Sequence, residues 1–403
     1  MEKVLFVHNH YQLSGGEDTV VSQELNLLNS NGIHSEVYSV SNDMINDKNL
    51  LQKAMLAINT TWSKAEYVAL KRKLISMKPD VVHVHNFFPL ISPSVYYACN
   101  NLKIPVVQTL HNYRIICPSG MFLREGKVCE KCLKGSLINS VLNGCYRDSI
   151  FQTIPVAAMI KVNRMLGTWA KKVDKFISLT DFARNKFIEA GIPEDLIVTK
   201  PNFITSMRDT QEREINTTKY LLFVGRVSLE KGVETLLEAW SGMVEKSNYK
   251  LCIIGDGPEK ERLEQLYSTD NSVVFLGKQE KESVLEYMQN SMYLIVPSLW
   301  YEGFPMTIIE SYSMGTPVLA SRIGSLQEVV VSGETGLHFN PGDIEDMRTV
   351  LLMAINYRDH EYEKLREKVS LIYQKNYTAE VNLKFITEIY NNVIEGKRNE
   401  YLT

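Results

Sequence analysis

The chain has 403 residues, 44% of them hydrophobic and 23% charged, with a net charge of −3 at pH 7. That size and composition fit a soluble globular protein of two ordinary domains. The slight negative balance argues against a broad nucleic-acid surface, and no apolar run approaches the roughly 18 to 20 residues that span a bilayer. Met1–Val7 reads as the start of a strand and not as a charged leader, which places the chain in the cytoplasm.

Strand and helix signals alternate almost throughout, the pattern of a parallel α/β architecture. A first buried strand is predicted over Lys3–Asn9. The run Leu13-Ser14-Gly15-Gly16-Glu17 follows, at the mouth of a helix whose apolar spacing, Val21, Leu25 and Leu28, ends near Asn31-Gly32. Paired glycines there let backbone N–H groups approach a phosphate; an ordinary tight turn is the other reading. Further strands are predicted over Ser35–Val40, Asp80–Val84, Pro105–Thr109 and Lys175–Leu179, with a less regular helical insertion over 43–78. His111 follows the strand Pro105–Thr109, at the carboxyl end of the sheet where open α/β folds bind ligands.

Six cysteines are too few to staple a chain of this size. Four of them cluster: Cys117, Cys129, Cys132 and Cys145 give C-x11-C-x2-C-x12-C. The central pair has zinc-ribbon spacing, and four thiolates leave no open position, so a zinc here is expected to be structural; four reduced thiols in a surface excursion are the alternative. The segment 150–173 combines the apolar stretch Ile154–Ile160 with Lys161, Arg164, Lys171 and Lys172. Two readings stand, a helix lying on a membrane surface and an ordinary packed helix with a basic outer face.

A helix over 181–190 stops at Gly191, and the polar residues 205–218 are the expected linker. A second alternating series then begins, with strands predicted over Tyr220–Val224, Leu251–Ile254, Val273–Leu276, Tyr293–Pro297 and Pro317–Ala320. The two halves therefore look like two doubly wound units facing each other across a central cleft. Their expected bounds are 1–204 and 219–377. A final helix over 378–403 has Thr378 as its N-cap and a stripe of Val381, Phe385, Ile389 and Val393.

The most informative stretch is Tyr301-Glu302-Gly303-Phe304-Pro305-Met306-Thr307-Ile308-Ile309-Glu310. Pro305 suits the first helical turn, and the free N–H groups beside it favour an anion. Carboxylates at Glu302 and Glu310 flank that place and suit hydroxyls. A ligand with both hydroxyls and phosphate is a sugar nucleotide. Arg226 and Lys231, in Gly225-Arg226-Val227-Ser228-Leu229-Glu230-Lys231-Gly232, add a guanidinium fork and a point charge at another helix mouth, a pair suited to a diphosphate. The turn Gly255-Asp256-Gly257-Pro258 reads as structural.

Taken in order, these pieces resemble glycosyltransferase family four, retaining enzymes of the GT-B architecture with two Rossmann-like domains. The resemblance rests on Gly15-Gly16, His111, Arg226 with Lys231, the Gly255 turn, the Glu302 to Glu310 pair, Gly315-Thr316-Pro317-Val318 and Gly333-Glu334-Thr335-Gly336-Leu337. It implies an N-terminal acceptor-binding domain, a C-terminal nucleotide-sugar domain, and a last helix that crosses back to the first domain. It implies that Arg226 and Lys231 stabilise the departing diphosphate, that Glu310 holds the ribose hydroxyls, and that Glu302 faces the donor sugar. Phe304, Pro305 and Met306 would offer backbone N–H groups to that sugar. Gly15 and Gly16 would close on the phosphate, and His111 would sit beside the donor sugar and the acceptor. No Asp-x-Asp follows a strand, so the chemistry is expected to need no metal and no cofactor.

The implied reaction moves a hexose or N-acetylhexosamine from a nucleotide diphosphate sugar, a uridine one first, to a glycan or lipid-linked glycan acceptor in surface polysaccharide assembly. Such an acceptor places the chain at the inner face of the membrane. The cysteine excursion is not part of the minimal family pattern and leaves acceptor preference open. The alternatives are a sugar-nucleotide epimerase or hydrolase of the same architecture, and a non-catalytic nucleotide-binding scaffold.

Overall fold

The structure, a computed structural model, describes residues 1–12, 15–45, 50–205, 219–244, 246 and 248–400. Its contacts divide the chain into two compact units. The first comprises Met1–Phe122, Cys129–Asn202 and the chain from Glu380 onward; the second comprises Leu123–Val128 and Phe203–Ala379. The expected linker falls, from residue 206 on, outside the described residues, as do Leu13 and Ser14.

In the first unit β1 (Lys3–His10), β2 (His34–Ser41), β3 (Val81–Asn86) and β4 (Val106–Leu110) are followed by β7 (Lys175–Ser178) and β8 (Ile197–Thr199); between β4 and β7 in the chain, a two-residue-per-strand hairpin, β5 (Leu123–Arg124) and β6 (Lys127–Val128), groups with the second unit. Six of these form one sheet in the order β2-β1-β3-β4-β7-β8, parallel throughout. All six residues of β3 and all five of β4 are buried, as a sheet covered by helices on both faces requires. The strand order turns back between β1 and β3, the place where doubly wound sheets open a ligand crevice.

The second unit repeats the plan with β9 (Lys219–Val224), β10 (Tyr249–Ile254), β11 (Val273–Gly277), β12 (Tyr293–Val296), β13 (Val318–Ser321) and β14 (Gly336–Phe339). Their order is β11-β10-β9-β12-β13-β14, again all parallel, and it reverses between β9 and β12. Each predicted strand is present within two residues of its expected ends. Two edge strands, β8 and β14, gave no signal; only partly buried, they lack the continuous apolar run of the four-residue inner strands β12 and β13.

The insertion over 43–78 resolves into helices Leu50–Asn59 and Lys64–Met77, the second capped by Ser63, whose hydroxyl accepts the Glu66 N–H at 3.3 Å. The last helix, Ala379–Glu400, packs Ile386, Ile389, Tyr390, Val393 and Ile394 into one cluster with Val4, Phe6, Val81, Val107 and Ile177 of the first unit. Its face differs from the expected stripe: Phe385 is 46% exposed. Steps of four residues precess around a helix of 3.6 residues per turn, so a stripe of that period leaves the packed face within two turns. Among the described residues no helix is long and apolar enough to cross a membrane.

Candidate active site

Because β9 and β12 are neighbours at the reversal of the second sheet, the loops leaving their carboxyl ends rise side by side. They are tied together. Leu299 N–H donates to the Glu230 carbonyl at 2.9 Å. Gly232, at φ +68°, lies so close to the Pro297 carbonyl that a Cβ would stand 2.0 Å from its oxygen. Only glycine satisfies both the left-handed backbone and the close approach.

That junction places Lys231 against Glu302. Lys231 Nζ donates to Glu302 Oε1 at 2.6 Å, the same oxygen accepts from Ser298 Oγ at 2.6 Å and Trp300 Nε1 at 3.2 Å, and the ammonium lies 5.6 Å from the Trp300 ring centre. The Glu302 side chain is 7% exposed and that of Lys231 26%. Arg226 is exposed and has no ion-pair partner among the described residues. Its loop rests on the Gly255 turn, where a Cβ on Gly255 would stand 1.8 Å from the Gly225 carbonyl oxygen, and where Val227 N–H donates to Asp256 at 2.9 Å.

Pro305 is the N-cap of helix Met306–Ser313 and not its first residue; its ψ of 105° is extended, so helical geometry begins one residue later than expected. Its carbonyl accepts the Ile308 N–H at 3.1 Å, while the amides of Met306 and Thr307 find no acceptor among the described residues, leaving a helix start suited to negative charge. Phe304 and Met306 pack their side chains, partly buried, against the core of the second unit. Glu310, buried one turn into the helix, is paired with Lys281, a residue the sequence did not single out. Arg226, Lys231, Glu302, Pro305 and Glu310 thus all belong to this unit, with Lys231 and Glu302 in direct contact and Glu310 held by a different lysine.

The first unit gathers a buried polar group at the reversal between β1 and β3. Asp18 Oδ1 is 2.8 Å from both His8 Nε2 and His10 Nδ1, and its Oδ2 accepts the Gly15 N–H at 2.9 Å. Burial opposes ionisation of Asp18, but the hydrogen bonds from His8, Gly15 and His10 hold it well below the usual carboxylate range. Its neighbour Glu17 behaves oppositely: burial first, then the Asp18 charge, push it up to about 8, against the Tyr11 hydroxyl and Arg114, which draw it down. Gly15 is the N-cap of helix Gly16–Ser30, with φ −133° and open space around a built Cβ, so neither conformation nor packing demands glycine there.

His111 leaves β4 with its Nε2 2.9 Å from His85 Nδ1, the two rings stacked at 5.2 Å. Burial, reinforced by His8 and Lys200, lowers His111 to about 3. His83 and His85 are held well below their ordinary value by burial first, so all three imidazoles are neutral at pH 7. His83 bridges Thr109 Oγ1 at 2.8 Å and the Tyr390 hydroxyl of the last helix at 2.7 Å. Beneath them Lys200 Nζ and Glu24 Oε1 form an ion pair of 2.8 Å, 1% and 2% exposed. Glu24, His83 and His85 have the composition of a metal triad, but the Lys200 ammonium already fills the place of a cation. The signal for this group was the His8/His10 and His83/His85 spacing, which puts each pair on one face of its strand.

All four clustered cysteines belong to the first unit. Burial and then Cys117, Cys145 and Cys129 raise the Cys132 thiol to about 11, so the four stand as neighbours. Among the described residues the only groups of three with ligand atoms within 4.8 Å of one another are His8–His10–Asp18 and Glu24–His83–His85; the sulfurs have to close up to share one ion.

Comparison with known proteins places this geometry. The family model described as Glycosyltransferase Family 4 matches residues 14–208, and that described as Glycosyl transferases group 1 matches residues 207–370. The chain belongs to glycosyltransferase family four. Among relatives of this glycosyltransferase, the sulfoquinovosyl transferase SQD2 of Arabidopsis thaliana is 32% identical over 311 residues, covering 72% of this chain and 54% of that protein. The alpha-monoglucosyldiacylglycerol synthase of Streptococcus pneumoniae is 26% identical over 342 residues, covering 82% of this chain and 70% of that protein. In fold the glycosyltransferase is similar to Anabaena HepE solved with UDP-glucose, with a TM-score of 0.66 at 16% identity, covering 97% of this chain and all of that one. The fold is GT-B.

Proposed function

We propose that this glycosyltransferase is a retaining, metal-independent enzyme that moves a hexose or N-acetylhexosamine from a uridine diphosphate sugar to a lipid-linked glycan or glycolipid acceptor. The observation that carries the reading is the Lys231–Glu302 pair, held by two tied loops in the same unit as the free amides of Met306 and Thr307. Cations and amides suit a diphosphate, and a carboxylate that can exchange a lysine for sugar hydroxyls suits a hexose. HepE, solved with UDP-glucose, supports the uridine donor, and the name of the alpha-monoglucosyldiacylglycerol synthase supports a lipid acceptor.

In the proposed reaction the bond from the anomeric carbon to the donor phosphate breaks and its electron pair leaves with the diphosphate. The acceptor oxygen bonds to the same face, and its proton passes to a donor phosphate oxygen. Charge on the leaving group is what most needs stabilising, and Arg226 and Lys231 are proposed to supply it. Glu310 is proposed to hold the ribose by exchanging Lys281 for hydroxyls. Gly15, unneeded by the chain's own packing, is proposed to admit a phosphate to the first unit, beside a neutral His111 that orients by hydrogen bonding. The four cysteines are proposed to hold a structural zinc, which metal analysis of the purified protein checks.

The experiment is a thermal-shift screen of nucleotide sugars, since a ligand of the native state alone raises its melting point, followed by transfer assays with the donor that binds. Rapid release of free sugar or an epimer from donor alone favours the hydrolase or epimerase reading instead.

A further inference from the structure

Helices Leu50–Asn59, Ile138–Leu142 and Ile150–Met165 pack together on one side of the first unit. The last of them is apolar on both sides. Its inner side buries Val156, Ala157, Met159 and Ile160, while its outer side carries Phe151, Ile154, Val162 and Met165 at helical spacing, 86%, 47%, 40% and 77% exposed. Leu142, Met55 and Ile58 on the neighbouring helices are 71%, 62% and 73% exposed. Of the 21 large hydrophobic side chains exposed among the described residues, 10 lie on these three helices and the adjoining Leu166. Scattered exposed apolar residues are ordinary, but a contiguous patch marks an interaction surface.

The charge of this stretch of chain points to the cover. From Leu133 to Val173 the chain has six cations, Lys134, Arg147, Lys161, Arg164, Lys171 and Lys172, against the single acid Asp148, a local balance of 6 − 1 = +5 in a chain whose total is −3. Lys134 is paired with Glu189, but Arg147, Lys161, Arg164 and Lys171 have no carboxylate partner among the described residues. A hollow of about 410 Å³ between helices Ile138–Leu142 and Ile150–Met165 is lined by Ile138, Val141, Ile154 and Met165 together with Lys161 and Arg164. There Arg164 Nη2 is buried without an acceptor. Open apolar side chains interleaved with unpaired cations match a surface that offers acyl chains and mobile phosphates together.

We propose that this face docks on an anionic lipid bilayer, with helix Ile150–Met165 lying in the interface and Phe151 and Met165 immersed. The inference stands apart from the reading of the donor site, and its assay needs no turnover, so either can fail alone. The full chain is sedimented with vesicles of phosphatidylcholine alone, or of equal parts phosphatidylcholine and phosphatidylglycerol. It is expected to bind the anionic vesicles, to be released by high salt, and to bind about tenfold more weakly as Phe151→Ser/Met165→Ser or as Lys161→Glu/Lys171→Glu. Unchanged melting points confirm that these exposed substitutions leave the fold intact. The proposal is overturned if the native chain ignores anionic vesicles or if both variants bind as well as it does. It is equally overturned if the chain is a dimer that Phe151→Ser/Met165→Ser splits, which makes the face a contact between copies.

Discussion

Lys231 and Glu302 meet across two loops that the backbone itself ties together, the ammonium donating at 2.6 Å to a carboxylate oxygen that also takes hydrogen bonds from Ser298 and Trp300. The pair is a lock as much as a contact. Each partner neutralises the other, and in the proposed function a ligand bearing phosphates and hydroxyls replaces both interactions at once. Lys231→Ala and Glu302→Ala should therefore each lower turnover by about 10²- to 10³-fold, the usual cost of losing a preorganised electrostatic group. Melting points should change little for Glu302→Ala, whereas Lys231→Ala, which leaves a 7%-exposed carboxylate held only by Ser298 and Trp300, should lose some stability as well. Full turnover in either variant contradicts the assigned roles.

Gly232 tests the loop junction separately. Alanine there brings a Cβ to 2.0 Å from the Pro297 carbonyl oxygen and forces φ +68° on a residue that disfavours it. Gly232→Ala should cost about 1 to 3 kcal/mol and lower turnover by displacing Lys231, while Gly333→Ala, open on all sides at a similar φ, should lose stability alone. Equal turnover in the two variants would falsify the coupling between loop packing and Lys231 placement.

Glu17 makes stability depend on pH in an unusual direction. Its folded value of about 8 lies above the ordinary 4.5, so between those values the native state binds more protons than the unfolded one. Stability is then present below about 4.5 and declines as pH rises through 8. Glu17→Gln should flatten that decline, read as the melting-point difference from the native chain at pH 5 and pH 8. A difference that does not change between the two pH values rules the raised carboxyl out.

His111 acts on the opposite side. Its folded value of about 3 lies below the ordinary 6.5, so the unfolded state binds the proton first and stability is lost as pH falls from 6.5 towards 3. His111→Asn should show a shallower acid loss than the native chain. The remaining loss is shared by His83 and His85, depressed for the same reason, and by carboxylates such as Asp18 that the fold holds below their ordinary range.

Glu24 and Lys200 are an almost solvent-free ion pair. Removing one partner leaves a buried charge, so Lys200→Met alone should cost about 3 to 5 kcal/mol, and Glu24→Leu/Lys200→Met together far less. Denaturant midpoints of the two variants decide it. Equal losses mean the pair is not coupled.

Much of this was legible in the sequence because parallel strands buried on both faces are continuous apolar runs, and their ends are marked by glycine, proline and charge. Tyr220–Val224 and Tyr293–Val296 announce themselves in that way; β8 and β14, edge strands only partly buried, do not. At the site, Lys231 and Glu302 were readable as loop residues after adjacent strands. Their ion pair was not, since it depends on Gly232 meeting Pro297, a contact 65 residues apart in sequence. Lys281 on Glu310, and Lys200 on Glu24 across 176 residues, were hidden for the same reason: long-range side-chain pairing leaves no local pattern. The last helix was found but its packed face was misplaced at Phe385, where a four-residue period parts from the true helical one.

Calorimetric titration of uridine diphosphate and of uridine into Arg226→Met/Lys231→Met tests the central claim most directly. The account predicts that the variant loses diphosphate affinity by about 100-fold or more while binding uridine as the native chain does. Undiminished affinity for uridine diphosphate contradicts it.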